Sequence, residues 1–217
     1  MGITDMKDSA ARAGEITLDD AVRLAQTWAA AHHADEGRSR NFAVQWHQDT
    51  PVADRRGDAL LRDLEFFFQA ASKDAAYWQS VGDFSEEATG VWGMQALKAL
   101  AGLNAVGLLA AAILLAARGG SAYTAGAIGA CALFLAGVIL AYPALRLTRL
   151  SRARANAAAA SHSREAGSAW TWEQLRSAND ANPNVGRKER KLAFRLAAIM
   201  AATATAGCAV LVTTVWL

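Results

Sequence analysis

Two apolar stretches separated by four residues constrain this chain more than any other feature. Residues 100–117 (LAGLNAVGLLAAAILLAA) carry no charge, residues 118–121 (RGGS) interrupt them, and residues 122–142 run apolar again without an ionisable carboxylate or amine. Each half is about 18–21 residues long, and at ~1.5 Å rise per residue such a helix covers most or all of a ~30 Å hydrocarbon layer. In lipid only a helix or a closed barrel satisfies every backbone N–H and C=O, so the two halves are expected to be spanning helices. A third apolar run, 192–217, ends the sequence and predicts a third span.

Charge is distributed unevenly around these runs. Residues 1–99 hold ten Lys or Arg against sixteen Asp or Glu, whereas residues 100–217 hold twelve basic residues against four acidic ones. The basic residues of the second half flank the apolar runs, as at a membrane surface, and no aromatic residues interleave them, so a nucleic-acid polymer is not an expected partner. The link between the first two runs has only Arg118. Lys98, Arg146, Arg149, Arg152, Arg154, Arg187, Lys188, Arg190, Lys191 and Arg195 gather at the other ends. The positive-inside rule then places 1–95 and 143–191 in the cytoplasm, and the hairpin tip and C-terminus outside, with Trp216 at the outer interface. Residues 1–13 mix acids and bases without an apolar core, so no signal peptide is expected.

Local signals fill in the rest. Thr17-Leu18-Asp19-Asp20 predicts a helix start, with Val22, Ala25, Trp28 and Ala29 on one face and Gly37 as a stop. Residues 41–48 (NFAVQWHQ) fit a short strand or a helical turn equally. A second helix is expected over 54–79, its apolar stripe running through Leu60, Leu61, Leu64, Phe67, Phe68 and Ala71, and Phe66-Phe67-Phe68 is wide enough for contacts on two sides. Gly82 is expected to end it. Asp83-Phe84-Ser85-Glu86 should then open a long helix that continues through the first span, with Trp92 and Lys98 at the interface. Residues 144–167 are Ala- and Arg-rich and predict that the second span continues as a helix to about Gly167. Thr171-Trp172-Glu173-Gln174 is a further capping box, and 179–186 (NDANPNVG) reads as a loop.

The fold class expected is therefore an all-α membrane protein with three transmembrane helices and an N-terminal cytoplasmic helical domain. Its divisions would be a cytoplasmic domain over 1–95, a transmembrane hairpin over 96–142, a cytoplasmic helix and loop over 143–191, and a third span over 192–217.

Helices in lipid associate where small residues let backbones approach. Gly126 with Ala130, Ala132 with Ala136, and the fourfold row Ala197, Ala201, Thr205, Ala209 and Thr213 are such surfaces, for contacts within one copy or between copies. Asn104 is the only amide of the first span. It either lines a water-filled path or bonds to a neighbouring helix.

Catalytic motifs are missing. The sequence has no Gly-x-Ser-x-Gly elbow, Walker loop or Gly-rich dinucleotide turn, and no carboxylate or His within the spans for proton coupling. Adjacent His32 and His33 point about 100° apart on a helix, so no metal cluster is read there, and Cys131 and Cys208 give neither a disulfide framework nor a zinc spacing. No cofactor or enzymatic activity is expected.

The layout of a cytoplasmic helical segment, a tight two-span hairpin (100–117, 118–121, 122–142) and a long cytoplasmic helix behind it resembles the SLATT-type membrane effectors. The likeness covers residues 85–165. It implies a homo-oligomeric effector of the bacterial inner membrane that acts by pore formation or membrane disruption in antiphage defence. A nucleotide second messenger or a regulatory protein would be the trigger, acting through the N-terminal region. Asn104, Arg146 and Arg149 would then line the pore or its mouth. The alternatives are a non-conducting membrane-anchored adaptor or immunity-type protein, and a holin-like lysis protein.

Overall fold

In a computed structural model, residues 15–117, 121–180 and 184–216 are described, the side chains of 85–92 and 121–122 excepted. The expected N-terminal tail, the hairpin break at 118–120, the interfacial side chain of Trp92 and the loop's Pro183 lie outside this description. Six helices account for most of it: α1 (Leu18–His32), α2 (Glu36–Asp49), α3 (Gly57–Ala117), α4 (Ser121–Ser168), α5 (Trp172–Asn179) and α6 (Arg187–Trp216). Among the described residues there is no strand, only an isolated bridge between Glu15 and Arg56.

Contacts divide the chain into two units, the first holding residues up to Val81 together with Ala159–Ala181, the second Gly82–Ala158 and Asn182–Leu217. The first unit therefore recruits the end of α4 and all of α5, which the sequence assigns to a separate cytoplasmic segment. Its helices start where capping side chains stand. Thr17 accepts from the Asp20 amide (3.2 Å), Asp35 from Arg38 (2.7 Å) and Thr171 from Gln174 (3.1 Å), each satisfying an amide that the first helical turn leaves free.

Two local expectations are corrected, and one open choice is decided. Helix α1 stops at His33, which takes a left-handed conformation (φ 52°), while Gly37 lies in the first turn of α2 because Asp35 caps there. Residues 41–48 are helical, as part of α2. Gly82 does not end a helix and Asp83 does not open one: α3 runs unbroken for 61 residues. A single glycine costs a helix only about 1 kcal/mol relative to alanine, which the flanking turns can absorb.

The core of the first unit is built from large side chains. Trp28 of α1, Phe42 and Trp46 of α2, and Leu60, Leu64 and Phe67 of α3 are buried together, and Ala166, Leu175 and Ala178 close it from the return segment. The phenylalanine run does face two ways. Phe67 meets Phe42 (4.8 Å between centroids) and the edge of Trp172 (5.0 Å), whereas Phe68 meets Trp28 (5.2 Å). Arg38 fastens the return segment. Its Nε and Nη2 donate to the Ala169 carbonyl (3.0 and 2.7 Å), and its guanidinium lies 4.7 Å from the Phe68 ring centre. Burial draws the Arg38 pKa down, with Asp35 opposing.

In the second unit, Gly93–Ala117 of α3, α4 from Tyr123, and α6 are each long and apolar enough to cross a membrane. The chain thus has three candidate spans in an all-helical protein. Pro143 sits inside α4 without ending it.

Candidate functional site

The three spans pack on a seven-residue period. Leu97, Asn104 and Ala111 of α3 are buried, as are Ala127, Ala130, Phe134, Gly137, Ala141 and Ala144 of α4, and Ala193, Met200, Ala204, Gly207 and Thr214 of α6. Spacings of seven, or of alternating three and four, keep one stripe against its neighbours when helices coil left-handedly around each other. The pairings make α3 and α6 parallel, with α4 antiparallel to both.

Glycines set the depth of contact. The Phe134 ring fills a notch formed by Gly107 and Gly207: a methyl group placed on Gly207 would stand 2.7–2.9 Å from three ring atoms. Gly126 is opposed by Thr214 in the same way, and Gly137 by Asn104 and Thr203.

Asn104 is fully buried within one copy. Its Nδ2 donates to the Leu100 carbonyl (2.9 Å) and across to the Met200 carbonyl (3.1 Å), and its Oδ1 accepts from the Thr203 hydroxyl (3.3 Å). Of the two roles left open by the sequence, this placement is the interhelical bond. Arg146 and Arg149 are exposed on α4.

The small-residue surfaces part company. Ala130 is buried and Gly126 half-buried against Thr214. On α6 only Ala197 and Ala201 lie partly inside, whereas Thr205, Ala209 and Thr213 are exposed. A row at every fourth residue advances 400° per step, so it walks about 40° round a 3.6-residue helix each time and leaves the seam. The Thr205 and Thr213 hydroxyls donate back to the Ala201 and Ala209 carbonyls (3.0 and 3.1 Å). The outward faces otherwise carry Leu103, Val106, Ile113, Ile128, Leu135, Ile139 and Val212, a surface suited to hydrocarbon.

The first unit contains a cleft of about 1180 Å³ that the sequence did not reveal. Its walls come from the end of α2, the turn at Thr50 and Pro51, Asp63 of α3, the last turn of α4, and α5. Asp49, Asp63, Glu165 and Glu173 face it with Arg176 as the single base among the described lining residues, and Trp46, Trp170 and Trp172 supply ring surface. Asp63 is engaged, accepting from Trp46 Nε1 (2.8 Å), and Asp49 accepts from Gln45 (2.9 Å). Such a surface attracts cations, by charge and by stacking on indole faces. Its only sequence signal was the three tryptophans, two of them more than a hundred residues from the first.

Comparison with protein-family models, with curated proteins and with solved structures finds no match.

Proposed function

We propose that the chain is an integral protein of a bacterial inner membrane that anchors a partner-binding helical unit, rather than an enzyme. The unit stands in the cytoplasm and the C-terminus outside. The observation that carries this is the filled bundle. Phe134, Met200 and the Asn104–Thr203 pair occupy the interior between the spans, and the faces turned outward are apolar, as an anchor in lipid requires. Orientation rests on the bases at one end of the bundle. Reporters fused after Leu217 and inserted near Gly120 should both read as external, and a cytoplasmic C-terminus would overturn the topology.

The cleft is where a partner would dock. Four carboxylates against one guanidinium favour a basic protein segment over an anionic nucleotide, so a regulatory protein is the stronger candidate trigger of the two. Titrating a lysine-rich peptide against the full chain should give binding that weakens with salt and is lost in Glu173→Lys.

A second reading is the pore-forming, homo-oligomeric effector to which the SLATT resemblance points. Thr205, Ala209 and Thr213 favour it, because an exposed row of small residues lets a second copy approach closely. Any conducting path would then lie between copies, with Arg146 or Arg149 ringing its mouth. Oligomeric mass combined with ion flux from reconstituted liposomes separates the readings. An assembly without flux, with or without the lysine-rich peptide, supports the adaptor. Current whose reversal potential in a KCl gradient moves in Arg146→Glu establishes the pore.

A further inference from the structure

At the end of the bundle where α6 begins, a groove of about 440 Å³ opens between α3, α4 and α6. Its walls are mostly apolar: Leu97 and Leu100 of α3, and Ala193, Phe194 and Ala197 of α6. Phe194 is 76% exposed. Two guanidiniums, Arg152 and Arg190, border the groove, and no carboxylate lines it among the described residues.

Arg152 is the unusual member. Its terminal Nη2 is buried and makes no hydrogen bond. Among the described residues, the carboxylate of Glu189 pairs with Arg154 instead. A buried guanidinium N–H without an acceptor is unfavourable, and an anionic oxygen is the group that best relieves it. The groove is also held in shape. The Ser151 hydroxyl donates to the Gly186 carbonyl (2.8 Å), and Gly186 adopts φ 71° with its α-carbon so close to the Ser151 carbonyl that a β-carbon would stand 2.6 Å from it. Arg187 bonds Asn184 across the same turn (2.9 Å).

Position decides which anion. The groove lies where apolar span gives way to the basic flank, with Lys191 and Arg195 beside Phe194 on the outer face of α6. That is the level of lipid headgroups, and a pocket with an apolar floor and a cationic rim there matches one acyl chain and one phosphate. We propose that this groove is a site for an acidic phospholipid. An acyl chain would lie along Leu97, Leu100 and Ala193, and its phosphodiester oxygens would be held by Arg152 and Arg190. The site is independent of whether the protein conducts.

The test is native mass spectrometry of the full chain, stripped of lipid in detergent, with dioleoyl phosphatidylglycerol and dioleoyl phosphatidylcholine as probes. Phosphatidylglycerol should bind at least about ten-fold more tightly. Arg152→Gln should abolish that preference, and Ala96→Phe, which narrows the groove from an exposed wall, should weaken both lipids. Lys188→Gln, on a residue outside the groove, should leave both affinities unchanged. Equal affinity of the wild type for the two lipids overturns the proposal, as does full preference in Arg152→Gln. Competition by glycerol 3-phosphate at concentrations comparable to the lipid also overturns it, by making the site one for free phosphate. If Arg152→Gln loses its helical circular dichroism, Arg152→Lys and Ala96→Phe decide: retained preference in the first with loss of binding in the second supports the site, and unchanged binding in the second overturns it.

Discussion

The two units solve the same packing problem with opposite side chains. The first buries Trp28, Phe42, Trp46, Leu60, Leu64 and Phe67 around one centre, whereas the second is joined by glycine notches at Gly107, Gly126, Gly137 and Gly207, with the Phe134 ring at its heart. On the proposed topology the first unit lies in water, which explains its bulk. Each large apolar side chain removed from water contributes roughly 1.5–3 kcal/mol, so bulk is rewarded. In hydrocarbon that reward disappears between helices, and stability comes from close backbone approach and a few polar bonds. Small residues are then the better choice, and Asn104 can be tolerated at the centre.

Removing bulk should hurt the first unit most. Phe67→Ala is expected to cost about 3–5 kcal/mol, read as faster amide hydrogen exchange across α1, α2 and α5. Exchange unchanged in those helices would mean that the aromatic cluster does not organise the unit.

Adding bulk should be the damaging change in the second unit. Gly207→Val drives a branched side chain into the Phe134 ring and should cost about 1–3 kcal/mol, seen as a lower melting temperature of the bundle in detergent. The analogous small-to-large change at Ala209, exposed on α6, should leave melting unaltered. It should lower oligomeric mass if copies meet along that row.

Asn104→Leu is nearly isosteric and removes the bonds to Met200 and Thr203. Polar bonds between helices in membranes are worth about 0.6–2 kcal/mol, so a modest destabilisation is expected, measurable by thermal unfolding in detergent. A stabilised variant would show that the amide is kept for a purpose other than packing.

The smallest effect concerns the cap of α1. Thr17→Ala removes the acceptor at the helix start and should cost about 1 kcal/mol at neutral pH. The Thr17 hydroxyl's hydrogen bond holds the Asp20 carboxyl below its ordinary range, with Arg23 adding to this and desolvation opposing. A group whose pKa is depressed by folding stabilises the fold above its unfolded value, near 3.9, and loses that contribution as pH falls through the native value. The difference between wild type and Thr17→Ala should therefore shrink in acid melts below about pH 4, and a constant difference would remove Asp20 from the cap.

Much of this architecture was legible in the residues alone, wherever the signal lies within a short window. The three apolar runs had to be helices if they meet lipid, because no other segment satisfies its own backbone there. Thr17 and Thr171 marked helix starts because a hydroxyl and the amides it caps are three residues apart. Continuation of α4 past Pro143 was legible too, in the unbroken Ala- and Arg-rich run behind it.

What needed the tertiary structure is the choice among partners. The fourfold row on α6 read equally as a contact within one copy or between copies; within one copy the described seam is instead Ala193, Met200, Ala204, Gly207 and Thr214, at the three-, four- and seven-residue spacings that coiling helices keep in contact. Asn104 had two roles open to it until Met200 and Thr203, almost a hundred residues away, were found within hydrogen-bonding distance. The cleft and the groove gather residues from separate helices, and their shape depends on how closely those helices approach. Side-chain volume at each crossing sets that distance, and no local stretch of the chain encodes it.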